Sequence, residues 1–173
     1  MKFQNQIEQV PRDDAARIDQ QMLLYWLIRG SKPKICVEIG THRGSTALYL
    51  AHALYDNGLG KLITCDPYDY GQDDTFKQIP ELNNFIEFRK QRGNELDVDN
   101  IDFLFIDGFH EYEAVRDEIL YLFPRLSSEA IVVFHDCGGD NELVGVNKAI
   151  EEAKIKTVWL PMSGKMRIYN KYD

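Results

Sequence analysis

Short apolar segments alternate along this chain with longer segments whose apolar residues recur every three or four positions. The short segments are rich in β-branched and aromatic residues, which is typical of buried strands, and the longer ones are typical of helices with one packed face. The strands predicted in this way are 35–39, 62–65, 85–88, 101–106, 130–134, 157–160 and 166–169. The last two flank 162–165 and indicate a hairpin.

Four helices are predicted between these strands. They cover 11–29, with Pro11 at its start and Gly30 as its stop, 45–55, a segment around 115–123 and a segment around 146–153. Residues 1–10 are expected to be a flexible lead-in, and 69–84 is the least regular part, with 75–79 as its one helical candidate. Because strands and helices alternate, we expect an α/β fold with a mostly parallel sheet and helices on both faces.

Composition and charge narrow the class of protein. The chain has 173 residues, 44% of them hydrophobic, which suits one domain over residues 1–173. Its 20 Lys and Arg against 28 Asp and Glu give a net charge of -8, which argues against nucleic acid or an anionic membrane surface as a partner. No apolar segment approaches the ~20 residues of a membrane span, and the N-terminus lacks the apolar region of a signal peptide. Cys36, Cys65 and Cys137 are interpreted as reduced thiols, so a cytoplasmic location is expected.

The first strand runs into a glycine turn and then a helix, with Gly40 and Gly44 bounding the turn. The unpaired N–H groups at a helix N-terminus suit a polar or anionic ligand. Glu38 interrupts the apolar strand, and because a buried carboxylate is costly, we expect it to face that ligand. His42 stands where a dinucleotide-binding turn has its middle glycine, which weighs against NAD or FAD and favours a nucleoside without phosphates.

Polar residues collect where the apolar segments end, and parallel sheets bind ligands beyond the carboxyl ends of their strands. Asp66 follows the second strand, 22 positions after Gly44, where a carboxylate can accept both hydroxyls of a ribose. The alternative for Asp66 is a turn-forming residue before Pro67. The other residues at strand ends are Asn94, Asp107, His110, His135 and Asp136.

The motifs resemble those of the class I S-adenosylmethionine-dependent methyltransferases over nearly the whole chain. VEIGTHRGST is similar to the first motif of that family, ITCDPY to the second, and FRKQRGNEL to the third, with Asn94 where Asp is usual. IDFLFIDGFHEYEAVRDEI followed by IVVFHDC resembles the branch of cephalosporin-hydroxylase-like proteins and metal-dependent sugar O-methyltransferases. The resemblance implies a Rossmann-like, doubly wound, seven-stranded sheet whose last strand is antiparallel. It also implies S-adenosylmethionine bound by Glu38, Gly40, Thr41, Gly44, Ser45, Asp66, Asn94 and Asp107.

Methyl transfer to a hydroxyl requires alignment of the acceptor and removal of its proton. We expect His110 to accept that proton, with Asp107 as its catalytic partner. Asp107 and Asp136, together with His135, are candidate ligands of Mg²⁺ or Mn²⁺. Related sugar methyltransferases have Glu where this chain has His135, and that difference argues either against a metal ion or for Mn²⁺ rather than Mg²⁺. The expected acceptor is a small-molecule or sugar hydroxyl.

Other interpretations of the same residues remain open at this point. The chain could be a non-catalytic nucleoside-binding protein, a nucleotide-dependent oxidoreductase or, least favoured, a metal-dependent hydrolase. His110 could belong to a helix-start network with Glu111 or Glu113. Because the sequence has almost no insertions that could cover an acceptor, a homodimer is one expectation for how the site is completed.

Overall fold

The computed structural model describes residues 2–10, 16–138, 144–160 and 166–171. In this part of the chain the helices are α1 (Gln4–Ile7), α2 (Ile18–Ser31), α3 (Ser45–Asn57), α4 (Gln72–Phe76), α5 (Tyr112–Leu122) and α6 (Val144–Glu152). The strands are β1 (Ile35–Ile39), β2 (Lys61–Cys65), β3 (Ile86–Arg89), β4 (Ile101–Ile106), β5 (Leu126–Phe134), β6 (Val158–Trp159) and β7 (Arg167–Asn170). Short 3₁₀ helices lie at Pro80–Phe85, Gly93–Glu95 and Phe123–Arg125.

The strands form one seven-stranded sheet in the order β3-β2-β1-β4-β5-β7-β6. Strands β1 to β5 pair in parallel, whereas β7 is antiparallel to both β5 and β6. The predicted Rossmann-like sheet, with its antiparallel last strands, is therefore confirmed. The chain reverses direction across the sheet between β1 and β4, and a crevice opens beyond the strand ends at such a point.

Alternating residues of the strands supply two hydrophobic cores. In β4, Phe103 and Phe105 pack on one face with α1, α2 and α3, whereas Leu104 and Ile106 pack on the other face with α5 and α6. Both faces are buried because a parallel sheet with helices on each side leaves neither face in water. Among the described residues, no helix is long and apolar enough to cross a membrane.

The N-terminal segment differs from its prediction. Residues 1–10 were expected to be a flexible lead-in, but Phe3, Ile7 and Val10 are buried against α2 and α3. Their spacing of four and three positions is that of one helical face, so these three apolar residues were a signal that the prediction missed. Helix α2 begins at Ile18, and the predicted start at Pro11 lies outside the described residues.

The start of one strand and the position of one helix also differ from their predictions. Strand β5 begins at Leu126 rather than 130, because Leu126 pairs with Ile101 before the register shifts and Ile131 pairs with Phe103. A register shift of this kind, typical of a β-bulge, allows both ends of β5 to pair with β4. The irregular part 69–84 contains α4 at Gln72–Phe76, three residues earlier than the helical candidate at 75–79.

The junction between β1 and β4 is tight at Gly40. The Asp107 amide donates to the Ile39 carbonyl at 2.9 Å, and Gly40 has φ +92°. A Cβ on Gly40 would lie 2.1 Å from the carbonyl oxygen of Asp107. Only glycine therefore allows the turn after β1 to pass directly beside the end of β4.

We expect Gly40→Ala to lower the free energy of unfolding by at least about 3 kcal/mol, because the new methyl group meets rigid backbone as well as an unfavourable φ. Gly58→Ala is the matched control, since Gly58 also has a positive φ of +68° but has nothing within 4 Å of its Cβ position. Its loss should be only about 1 kcal/mol. Urea unfolding of both variants measures the difference, and equal losses would refute the steric explanation.

Candidate active site

A cavity of about 270 Å³ opens beyond the carboxyl ends of the parallel strands. Most of the residues predicted for the site lie in its wall. The structure brings together Gly40, Thr41, Ser45, Asp66, Asn94, Asp107, His110, His135 and Asp136. Glu38 and Gly44 are not part of the cavity lining, so the structure does not place their atoms at the ligand surface.

Asp66 is held in its turn by two backbone amides. Its Oδ2 accepts the His42 amide and its Oδ1 accepts the Tyr68 amide, both at 2.9 Å. Each carboxylate oxygen has a second acceptor position, so the carboxylate can still accept hydroxyl groups from the cavity. The turn-forming role and the ribose-binding role of Asp66 are therefore compatible.

The N-terminus of α3 faces the cavity and is fixed from behind by α2. Gly44 precedes it in the left-handed conformation, and a Cβ there would lie 2.6 Å from the ring of Phe76. The Gln21 amide group donates to the hydroxyls of Ser45 at 3.2 Å and Thr46 at 3.1 Å. Helix α2 thus helps to position the N-terminus of α3.

Glu38 lies beneath the turn rather than in the cavity wall. The Thr64 hydroxyl donates to Glu38 Oε2 at 2.5 Å and lies 2.6 Å from the Thr41 hydroxyl, which does line the cavity. Oε1 of Glu38 is buried without a hydrogen-bond partner among the described residues. Burial raises the pKa of Glu38 to about 8, with Asp107 and Asp66 adding to the effect and Thr64 opposing it. Glu38 therefore supports the turn in a largely protonated form at neutral pH.

Four ionisable side chains meet at the ends of β4 and β5. Nδ1 of His135 lies 2.8 Å from Asp107 Oδ1 and 3.4 Å from Asp136 Oδ2. Nε2 of His110 lies 3.2 Å from Asp136 Oδ2 and 3.9 Å from Asp107 Oδ1. Asp136 has φ +51°, a conformation that Asp and Asn tolerate better than most residues. The two strand ends thus form one cluster of two carboxylates and two imidazoles.

The carboxylates change the protonation of both histidines. Burial lowers the pKa of His135, but the charges and hydrogen bonds of Asp107 and Asp136 outweigh it and raise the value to about 10. Asp107 and then Asp136 also hold the pKa of His110 above its usual value, against the effect of burial. Without a bound cation, His135 is an imidazolium that neutralises part of the carboxylate charge.

Asp107, His110 and Asp136 form a group of side chains that could hold a metal ion. One ligand atom from each lies within 4.8 Å of the others. The sequence predicted the two aspartates together with His135, and Nδ1 of His135 lies within 3.4 Å of an oxygen of each. In the structure, Nε2 of His135 lies 3.1 Å from Gln20 Oε1, so this imidazole is held between α2 and Asp107.

Two residues of this region were not predicted from the sequence. Gln20, at the start of α2, contacts His135, and no local pattern links positions so far apart in the chain. Glu118 lines the cavity from α5. It lies on the apolar face with Val115, Ile119 and Leu122, and an acidic residue among such positions was a signal that could have been found.

We expect Glu38→Gln to reduce the pH dependence of stability. Folded Glu38 keeps a proton between its usual pKa of 4.5 and about 8, whereas the unfolded chain releases it, so the free energy of unfolding falls as the pH rises through this range. Glutamine keeps an oxygen for Thr64 but does not titrate. Between about pH 5 and pH 8, wild type should lose more stability than the variant, by an amount on the order of a few kcal/mol.

Urea unfolding at several pH values measures this difference. Glu129→Gln removes the same charge from an exposed position and should leave the pH dependence of wild type unchanged. If the free energy of unfolding changes with pH in the same way for wild type and Glu38→Gln, Glu38 is ionised in the folded protein.

Comparison with known proteins identifies the family to which this chain belongs. The family model described as "Methyltransferase domain" matches residues 37–137, which run from β1 to the end of the cluster after β5. A curated relative, the uncharacterized protein y4gI of Sinorhizobium fredii (strain NBRC 101917 / NGR234), is 23% identical over 126 residues. That match covers 64% of this chain and 14% of the relative, so the chain spans about a seventh of that protein.

Solved structures share the fold. A methyltransferase from Geobacter sulfurreducens has a TM-score of 0.73 at 16% identity, over 98% of this chain and 88% of that one. The O-methyltransferase TomG from Streptomyces achromogenes, solved in complex with SAM, has a TM-score of 0.69 at 18% identity, over 90% and 81%. The resemblance expected from the motifs is confirmed, and the chain belongs to the methyltransferase-domain family with the class I methyltransferase fold.

Proposed function

We propose that this protein is an S-adenosylmethionine-dependent O-methyltransferase that acts on a hydroxyl of a small molecule or sugar. One observation carries the proposal. A single cavity joins a nucleoside-type end, formed by the glycine turn and Asp66, to an acid–base end, formed by Asp107, His110 and Asp136. A hydroxyl acceptor requires both features within reach of one another.

The nucleoside-type end suits adenosylmethionine chemically. Asp66 offers carboxylate oxygens to ribose hydroxyls, and the N-terminus of α3 offers amide groups to the methionyl carboxylate. Thr41, Ser45 and Asn94 supply further polar atoms in the same wall. TomG, which shares the fold, was solved with SAM. When bound, adenosylmethionine supplies a methyl group that its sulfonium already activates, so the protein mainly aligns and deprotonates the acceptor.

His110 is the proposed proton acceptor. Its imidazole is partly exposed in the cavity, and Asp136 lies 3.2 Å from Nε2. The carboxylates of Asp107 and Asp136 stabilise the imidazolium that forms when His110 takes the acceptor proton, which is the effect that raises its pKa. The two carboxylates therefore favour the His110 imidazole as the group that takes the acceptor proton.

A divalent cation fits the same cluster. Asp107 and Asp136 would hold it together with one imidazole, and this donor set suits Mn²⁺ better than Mg²⁺. When bound, such an ion lowers the pKa of a coordinated hydroxyl. His110 can be a ligand or a proton acceptor but not both, so a metal-dependent enzyme would need His135 as the third ligand or another base.

The mouth of the cavity supports an acceptor with a flat or weakly polar face. Tyr68, Tyr70 and Phe109 line it and are 52%, 42% and 37% exposed. Exposed aromatic rings bind the faces of sugars and of other rings. A small-molecule or sugar hydroxyl presented beside such a face is the acceptor class that these residues favour.

Ligand-induced stabilisation tests the proposed cofactor. Adenosylmethionine and adenosylhomocysteine at about 100 times their dissociation constants should each stabilise the protein by about 2.7 kcal/mol, a rise in Tm of roughly 5 to 10 °C. NADH and ATP should cause no comparable rise. If NADH or ATP stabilises the protein and the adenosyl sulfur ligands do not, the proposed function is wrong.

The same Tm measurements in the presence of Mn²⁺ or Mg²⁺ test whether the protein binds a divalent ion. A further rise in Tm that Asp136→Asn abolishes would place the ion in the cluster, since Asn tolerates the positive φ of Asp136. Asp73→Asn removes an exposed carboxylate elsewhere and should keep the rise.

We expect His110→Ala to lower kcat by at least about a hundredfold, because the acceptor proton then has no positioned base. The dissociation constant of the His110→Ala variant for adenosylhomocysteine should stay within about threefold of the wild-type value, since His110 lies at the acid–base end of the cavity. Glu111→Ala, the exposed neighbouring position, should leave both values unchanged. Steady-state kinetics and calorimetry give the two values, and an unchanged kcat would exclude His110 as the base.

A further inference from the structure

Gln20 lies in the first turn of α2 and is 2% exposed. Its Oε1 accepts the backbone amide of Arg17 at 2.8 Å, which closes the N-terminus of the helix. The same oxygen lies 3.1 Å from Nε2 of His135, at the end of β5. Because a backbone amide can only donate a hydrogen bond, the atom of Gln20 at this point is the carbonyl oxygen and not the amide nitrogen. Gln20 therefore presents a hydrogen-bond acceptor to His135.

This acceptor decides which ring nitrogen of His135 carries a proton. Since Oε1 of Gln20 can only accept, Nε2 of His135 is the donor. The imidazole is 8% exposed, and the ring of Phe105 lies 6.1 Å from it in an edge-to-face arrangement, so a second element also holds the ring. In this orientation Nε2 is occupied by its contact with α2, and Nδ1 is the nitrogen left for the cluster.

Nδ1 of His135 faces the two carboxylates at the ends of β4 and β5. It lies 2.8 Å from Asp107 Oδ1 and 3.4 Å from Asp136 Oδ2. Nδ1 is buried, yet none of the described residues gives it a well-directed hydrogen bond. A buried nitrogen in that situation, beside two carboxylates, points to a cation that all three side chains bind.

His110 approaches the same carboxylates but is held less firmly. Its Nε2 lies 3.2 Å from Asp136 Oδ2, and its side chain is 37% exposed. In the described part of the chain, no further hydrogen-bond partner fixes this ring. Histidines that bind metal ions usually donate their other ring N–H to a fixed acceptor, which orients the ring. His135 has such an acceptor in Gln20, whereas His110 has none.

We propose that Gln20 is a positioning residue that directs Nδ1 of His135 to a divalent ion bound by Asp107 and Asp136. His110 is then not required as a ligand and stays available to take the acceptor proton. This inference rests on the proposed function and adds to it the third ligand and the residue that orients that ligand. Gln20 acts by fixing the tautomer, since with Nε2–H donated to Gln20 only Nδ1 can bind an ion.

The test uses the full chain, with Mn²⁺ alone as the probe. Gln20→Met has a side chain of similar length without a strong hydrogen-bond acceptor, whereas Gln20→Glu keeps an oxygen for Nε2 of His135. Gln78→Met is the matched control, since it makes the same substitution at an exposed position outside the cavity. Electron paramagnetic resonance of the free Mn²⁺ gives each dissociation constant.

Gln20→Met should bind Mn²⁺ about tenfold to a hundredfold more weakly than wild type, because Nδ1 of His135 loses its fixed direction. Gln20→Glu and Gln78→Met should bind it no more than about threefold more weakly than wild type. His135→Phe should also lose at least about tenfold in affinity, because it removes the ligand. Adding Gln20→Met to His135→Phe should cause no further loss, since the residue that Gln20 positions is gone.

Two further measurements separate this role from support of the helix. In the proton–nitrogen NMR spectrum of protein with isotope-labelled histidine and no Mn²⁺, Nε2–H of His135 should give a signal that is absent from His135→Phe. This signal should keep its chemical shift in Gln78→Met and change it in Gln20→Met. Thermal unfolding checks the fold, and loss of the contact with Arg17 should lower the Tm of Gln20→Met by only about 2 to 4 °C.

The inference is wrong if Gln20→Met binds Mn²⁺ as tightly as wild type, or if its NMR signal is unchanged. A further loss of affinity when Gln20→Met is added to His135→Phe would show that Gln20 acts through the helix and not through His135. A loss in His110→Ala as large as that in His135→Phe would make His110 the ligand instead. If wild type binds no Mn²⁺, this inference fails, whereas the binding of adenosylhomocysteine still decides the proposed function.

Discussion

The close approach of the turn after β1 to the end of β4 is the constraint on which the site depends. Gly40 passes so near the carbonyl of Asp107 that a single methyl group would not fit. Because of this approach, the turn that faces the nucleoside end and the aspartate that begins the acid–base end belong to one cavity. A larger residue would separate the two halves of the site as well as strain the backbone.

Because the polar site lies at the end of a hydrophobic sheet, two of its carboxyl groups are buried, and their burial costs free energy. Glu38 supports the turn through Thr64 and Thr41, and Glu118 reaches the opposite part of the wall from α5. Burial raises the pKa of both groups to about 8. Both therefore make the folded state less stable as the pH rises towards 8, and a residue kept at such a cost is a candidate for a role in function.

Helix α2 completes the site from a distance in the chain. Gln20 holds the imidazole of His135, and Gln21 holds the hydroxyls at the start of α3. The two neighbouring glutamines thus hold residues on both sides of the cavity. The N-terminal part of the chain, which packs on α2 and α3 through Phe3 and Ile7, stabilises the elements that support both ends.

The chemistry of the site could be predicted from the sequence because it is local. The strand that ends at Gly40, the acid at Asp66 and the polar residues after β4 and β5 each follow from a short pattern, and the alternation of strands and helices places them at one edge of the sheet. The start of β5 could not be predicted in the same way, because pairing with β4 decides it.

Only the tertiary structure decided which polar atoms face the cavity. The sequence by itself determined that Glu38 is an acidic residue in a buried strand. Its hydrogen bond with Thr64, on the neighbouring strand, is a tertiary contact, and this contact directs Glu38 to the turn rather than to the cavity. The sequence placed His110 and His135 near two aspartates, whereas their distances, and the contact of His135 with Gln20, separate the imidazole that is partly exposed from the one that is held. Hydrogen bonds between residues distant in the chain depend on how whole elements pack, and a local pattern contains no information about that packing.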